Sequence, residues 1–275
     1  MQLFHATAPT CWWSWGYEAT LNRVRLVYGD QVEVRLLVGC VYEDFNEYLE
    51  HYGITVEDMK PWAEEAAEIM DTPIATEYRR EHFPPTLMPV SLAVMAARRQ
   101  GEDKADRLAR ATLRRYCVEL QDVTRPESLE AAAREAGLDL ARFRRDLADA
   151  EAREHDMAHQ GHGFPHVPLG FYNLALTDGA TRTLLLDHAF EPKLVEEGID
   201  FLSGGTLAKR SPLETTSILE YVREKGPTPL IEVARVFDLS RAEAERELKG
   251  LESKGDLRVT TLAGAPHWHH EDFAG

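Results

Sequence analysis

Four consecutive residues carry the most legible chemistry in the chain: Cys11, Trp12, Trp13 and Ser14. Their surroundings read as the start of a helix, where the first amide N–H groups have no intrahelical partner. The partial positive charge at such a point favours a thiolate and lowers a thiol from its ordinary pKa of about 8.5. Cys11 is therefore expected to be a nucleophile. Trp12 and Trp13 beside it are candidates to line an apolar groove for a peptide or aromatic substrate. A plainer reading stands next to this one, in which Cys11 is a small buried hydrophobe and the tryptophans face the core. Cys40 and Cys117 are too few and too scattered to make a disulfide framework with Cys11. Cys117, among Leu113, Arg114 and Tyr116, reads as core filling.

The elements that must position Cys11 come from hydrophobic periodicity. Gln2 to Ala8 reads as a short strand. Gln31 to Val38 alternates, with Val32, Val34, Leu36 and Val38 on one face. A helix from near Cys11 through Leu21, Val24 and Leu26 joins them and stops before Gly29-Asp30. Such a crossover makes the strands parallel, with both carboxyl ends at one sheet edge. Cys40, just past Val38-Gly39, is then expected on the edge that bears Cys11. From about Thr55 to His159 the chain predicts three to five helices, opened by a capping-box pattern at Thr55 to Asp58 and broken at Pro84-Pro85, Gln100-Gly101 and Asp122 to Pro126. Leu169 to Thr177 and Thr181 to His188 predict a hairpin about Asp178-Gly179-Ala180, followed by a helix from Pro192 to Leu202.

Ser203-Gly204-Gly205 marks the best domain boundary. Beyond it, helices are expected over Pro212 to Glu224, Leu230 to Phe237 and Ser240 to Ser253. Two strands should then flank Ala263-Gly264-Ala265. The third helix balances Arg241, Arg246, Lys249 and Lys254 with Glu243, Glu245, Glu247 and Glu252, which disfavours DNA binding. His267, His269 and His270 with Glu271 suggest an exposed tail.

The order of strand, Cys-X-X-Ser at a helix start, strand, helical insertion, proline before a hairpin, and final helix resembles the DsbA-like branch of the thioredoxin fold. The resemblance covers about residues 2 to 203. Its pieces are Ala8 to Tyr17, the Val38-Gly39 strand end, and the approach Gly163-Phe164-Pro165-His166-Val167-Pro168. It implies an α/β class: a DsbA-like thioredoxin domain over residues 1–204, with its all-helical insertion at about 55–159. The segment 205–275 looks like a winged helix-turn-helix domain, and the whole resembles the predicted disulfide-isomerase, FrnE-like type. By resemblance Pro168 is a cis-proline against Cys11, and Val167 offers its backbone to an incoming thiol or peptide. Ser14 stands where the family usually has a second cysteine, and would donate a hydrogen bond to the Cys11 sulfur. The implied activity is thiol–disulfide exchange through a mixed disulfide, resolved by glutathione as co-substrate, by a substrate thiol or by Cys40. No bound cofactor and no metal are implied. His166 would sit close enough to assist Cys11. His155, His159 and His162 lie on the same approach. Three other readings stay open: a non-catalytic protein-interaction adaptor, a DNA-binding redox regulator, and a glutathione-dependent isomerase or transferase of a related serine-containing branch.

Composition sets outer limits. The 275 residues suffice for two ordinary domains, at about 150 residues each. The formal charge of −16 opposes attraction to nucleic acid or anionic lipid. No apolar run approaches the roughly 18 residues that span a bilayer, and the start lacks a signal-peptide pattern. A cytoplasmic protein is expected, acting on protein or small-molecule thiols and disulfides, with a homodimer as one state.

Overall fold

The computed structural model describes residues 1–149, 174–271 and 273. Strand β1 (Gln2–Thr7) runs parallel to β2 (Glu33–Val38) and antiparallel to β3 (Leu174–Thr177), which pairs with β4 (Thr183–Leu186), giving the order β2-β1-β3-β4. A strand held between two neighbours and covered on both faces reads as a continuous apolar run, and β1 is buried from Leu3 to Thr7. At the edge of the sheet, β2 keeps the alternation visible in its sequence: Leu36 and Val38 are buried while Glu33 and Arg35 face solvent. The hairpin turn is built by Asp178, whose carboxylate accepts from the amides of Ala180, Thr181 and Arg182.

The single helix expected after Cys11 is two. Helix α1 (Trp12–Gly16) ends at Tyr17 and α2 (Glu18–Tyr28) continues from it. Gly16 permits the close packing there: a Cβ on it would lie 2.8 Å from Met70 Cγ and 3.1 Å from Phe190 Cδ1. Helix α3 (Phe45–Tyr52), capped by Asp44, precedes the expected start of the helical segment. Its sequence is too short and too charged to stand out by period. Then follow α4 (Met59–Met70), α5 (Met88–Arg98), α6 (Glu102–Cys117), α7 (Pro126–Glu135) and α8 (Leu140–Ala148). The carboxylate of Asp58 reaches back to the Thr55 amide and hydroxyl, so the supposed capping box serves as a turn before α4. Helix α9 (Pro192–Ser203) closes on Gly204 in the left-handed region.

Beyond the Gly204-Gly205 turn come α10 (Pro212–Thr215), α11 (Ile218–Lys225), β5 (Thr228–Pro229), α12 (Leu230–Phe237), α13 (Arg241–Ser253), β6 (Arg258–Leu262) and β7 (Ala265–His269). The sheet order is β5-β7-β6. The expected first helix breaks at Thr216 because Ser217 and Glu220 form a capping box that starts a new one. The two-residue β5 is too short to show a period. The histidines near the end do not form an exposed tail: His267 is fully buried in β7, paired across to Thr260 and Pro229. No helix among the described residues is long and apolar enough to cross a membrane.

This C-terminal unit is fastened to the rest through α2 and α12. Arg23 donates to Glu196 and to the Val236 carbonyl. Arg235 donates to Glu191 and the Met70 carbonyl, and Arg110 of α6 bonds Glu18, Glu232 and the Lys225 carbonyl.

Two buried histidines tie stability to pH. His5 in β1 is 1 % exposed, its ring stands edge-on to Tyr17 at 5.2 Å, and neither ring nitrogen has a hydrogen-bond partner among the described residues. Burial first, and the charge of Arg25 second, push its pKa down to about 3, and burial lowers His267 to about 4. The unfolded chain takes up these protons near pH 6.5, while the folded chain does so only near 4 and 3, so the unfolded state binds more protons in between. Stability is then present above about pH 6.5 and is lost as pH falls through the window below it. Between about pH 6.5 and 4 the urea midpoint should drop by an amount worth on the order of 5 kcal/mol for the two groups together, and His5→Phe should remove about half of that slope. An unchanged slope in the variant contradicts the assignment.

Candidate functional site at Cys11

Cys11 caps α1. Its amide donates to the Ala8 carbonyl at 2.9 Å, its carbonyl accepts from Trp15 at 3.2 Å, and its φ and ψ of −93° and 130° are extended, so the chain turns from strand edge to helix at this residue. Two opposite influences act on the sulfur. The amides of Ser14 and Trp13, and last the Ser14 hydroxyl, favour the thiolate, as the helix start requires. Burial acts the other way and is larger: Cys11 is 7 % exposed, and loss of solvent pushes the thiol up to about 12. Burial therefore opposes the lowered pKa expected from the helix start. Sequence shows that a cysteine starts a helix, but it does not show how deeply the surrounding aromatic side chains bury it.

Ser14 is fully buried, and its hydroxyl has no partner of full hydrogen-bond geometry among the described residues. The expected hydroxyl-to-sulfur bond is thus reduced to a weak influence. The two tryptophans diverge. Trp12 Nε1 donates to the Tyr78 hydroxyl at 2.7 Å, while Trp13 stacks on Phe190 at 5.9 Å and stands edge-on to His188 at 5.3 Å. Both are half-buried and both border a cavity of about 280 Å³ that also receives Cys11. Its far wall is Tyr48 and Tyr52 of α3 with Trp62 and Glu65 of α4. Sequence reading missed these four. The signal was present in Tyr48 and Tyr52, which fall four apart on a helix face, but α3 itself was not recognised.

All three cysteines are free thiols. Cys40 follows β2 as expected, yet its thiol donates to the Tyr42 carbonyl at 2.9 Å, and burial pushes it up to about 11. Cys117 is fully buried, and that burial pushes its thiol well above the ordinary range. Val167, Pro168 and His166, with His155, His159 and His162, lie outside the described residues.

A model of the thioredoxin family, described as "Thioredoxin", matches residues 4–158. The chain belongs to the thioredoxin family. Among curated proteins, the ClpXP adapter protein SpxH of Halalkalibacterium halodurans is 25% identical over 98% of this chain and 89% of its own length. Among solved structures, the cytosolic disulfide reductase DsbM of Pseudomonas aeruginosa is 22% identical with a TM-score of 0.58, covering 73% of this chain and 100% of its own. DsbM was also solved with GSH. A probable DsbA oxidoreductase of Streptomyces coelicolor is 18% identical at a TM-score of 0.58, covering 74% of this chain and 90% of its own. These structures share the fold, so the chain has the architecture of DsbA-like disulfide oxidoreductases with a helical insertion.

Proposed function

We propose that this protein is a partner-binding member of the thioredoxin family, an adapter that holds a protein segment in the aromatic cavity beside Cys11. The observation that carries this reading is the state of the one cysteine in the motif. Cys11 borders an apolar cavity, its side chain is almost wholly withdrawn from solvent, and Ser14 stands in place of a second cysteine. Binding needs the cavity, whereas fast disulfide exchange needs a thiolate. Likeness to an adapter over nearly the full chain supports the same reading. Residues 205–275 then form a winged-helix domain that serves as a second protein surface. DNA is a poor fit there, because on α13 Arg241 pairs with Asp71, Arg246 with Glu247 and Lys249 with Glu245. In an insulin reduction assay with glutathione, wild type is expected to be no faster than Cys11→Ser. A wild-type rate more than about tenfold above that variant overturns the adapter reading.

A second reading is single-thiol exchange of the DsbA-like kind, favoured by the Trp13 and Ser14 amides directed at the Cys11 sulfur. Here a bound partner relieves the burial, and Cys11 loses its proton to solvent. The Cys11 sulfur then attacks one sulfur of the partner's disulfide. That S–S bond breaks, a mixed disulfide forms, and the partner's other sulfur leaves as thiolate. A second thiol, glutathione or one from the partner, attacks the partner's sulfur and releases Cys11 reduced. Cys40 is a weak resolver, with its thiol held by Tyr42. By the family resemblance, Val167 and Pro168 would align the partner, and His166 would relay the Cys11 proton to solvent. Intact mass after incubation with oxidised glutathione separates the readings: a Cys11 adduct supports exchange, and an unmodified Cys11 supports the adapter.

A further inference from the structure

We propose that the segment held beside Cys11 is basic, and that a lysine or arginine side chain of the partner enters between Tyr52 and Trp62 to meet the carboxylate of Glu65. This rests on the binding reading above and adds the chemical class of the ligand.

Three observations converge on it. The rings of Tyr52 and Trp62 stand perpendicular, at 87° with centroids 6.3 Å apart, and are 56 % and 37 % exposed. They form two walls open to solvent, and Tyr48 extends the first wall inward at 4.9 Å from Tyr52. A cation over such faces gains about 0.5 to 2 kcal/mol, more as it leaves water. Second, Glu65 is the charged residue among the described residues that line the cavity, one helical turn from Trp62. Third, residues 43–68, which supply that wall, hold nine acidic side chains and one lysine. That lysine, Lys60, is taken by Glu64 and Glu77. The nearby Arg80 lies over the Phe45 ring at 4.8 Å and donates to the Phe83 carbonyl. The rim therefore presents net negative charge around an aromatic opening, which draws in a cationic segment and repels anionic ones, glutathione included.

The test uses the full chain and cysteine-free fluorescent peptides of one apolar composition carrying either lysines or glutamates, with affinity read by anisotropy. The lysine peptide should bind at least about tenfold more tightly at low salt, with the preference shrinking severalfold at about 300 mM salt. Trp62→Ala should weaken it about five- to tenfold and Glu65→Gln about threefold, while Glu65→Lys should reverse the preference. Both side chains are exposed, so an unchanged melting temperature serves as the folding control. Equal or inverted preference in wild type, or a lysine peptide indifferent to Trp62→Ala and Glu65→Lys, overturns the basic-segment inference. Charge-independent binding that Trp62→Ala abolishes would overturn the inference and leave the binding reading standing. Failure of every peptide to bind would sink both.

Discussion

Replacing Arg110 by alanine is expected to destabilise the protein by about 3 to 5 kcal/mol and to loosen the C-terminal helices from the body that carries Cys11. The guanidinium is 5 % exposed. It bonds Glu18 of α2 at 2.9 Å, Glu232 of α12 at 3.0 Å and the Lys225 carbonyl at 2.9 Å, and it lies over the Trp15 ring at 5.2 Å. Glu232 is itself buried and accepts from the Tyr221 hydroxyl at 2.6 Å. Burial disfavours the charge on Arg110, but the two carboxylates outweigh it and hold the guanidinium protonated. Alanine would leave both carboxylates in a low-dielectric interior with no cation, which costs more than the intact cluster contributes. Urea unfolding of Arg110→Ala should show the loss. Arg110→Met combined with Glu18→Gln and Glu232→Gln should recover at least about half of it, because the uncompensated charge is gone. A loss below about 1 kcal/mol in the alanine variant contradicts the assignment.

The coupling gives the C-terminal unit a defined place relative to Cys11. Helix α2 carries Glu18, Arg23 and Ala19 to that interface and begins where α1 ends, so one short stretch of chain both presents the cysteine and docks the second unit. None of this was legible in sequence, because Arg110, Glu18 and Glu232 lie far apart in the chain and mark no motif. Local signals read better. The alternation of β2, the Asp178-Gly179 turn, the span of α12 and the Ser240 cap of α13 each depend on neighbours within a few residues, and each is visible in the amino-acid pattern. Where a short-range competitor intervened, sequence erred: Tyr17 and Ser217 each divide what periodicity joined.

At the site the same division holds. That Cys11 begins a helix is a local fact. Whether its sulfur meets water is decided by side chains from α1, α3, α4 and the loops beyond, and a periodic pattern does not carry that information. The aromatic wall of Tyr48, Tyr52 and Trp62 borders the same cavity as Cys11, and no periodic pattern singled it out. The buried histidines that bear on stability, His5 and His267, lie in strands where their polarity gave no warning of enclosure.

The second large effect is on thiol reactivity. With Cys11 pushed up to about 12, its thiolate fraction near pH 7 is on the order of one in a hundred thousand, against roughly three in a hundred for a free thiol of pKa about 8.5. Alkylation by iodoacetamide should therefore run on the order of a thousandfold more slowly at Cys11 in the native protein than at the same residue in urea. The measurement is the native alkylation rate of Cys11, resolved from Cys40 and Cys117 by peptide mass spectrometry, between about pH 6 and 10. A rate that climbs about tenfold per pH unit without levelling is the expected result. A plateau with its midpoint near or below about pH 7 would mean a stabilised thiolate and would contradict the neutral, enclosed sulfur on which the adapter reading stands.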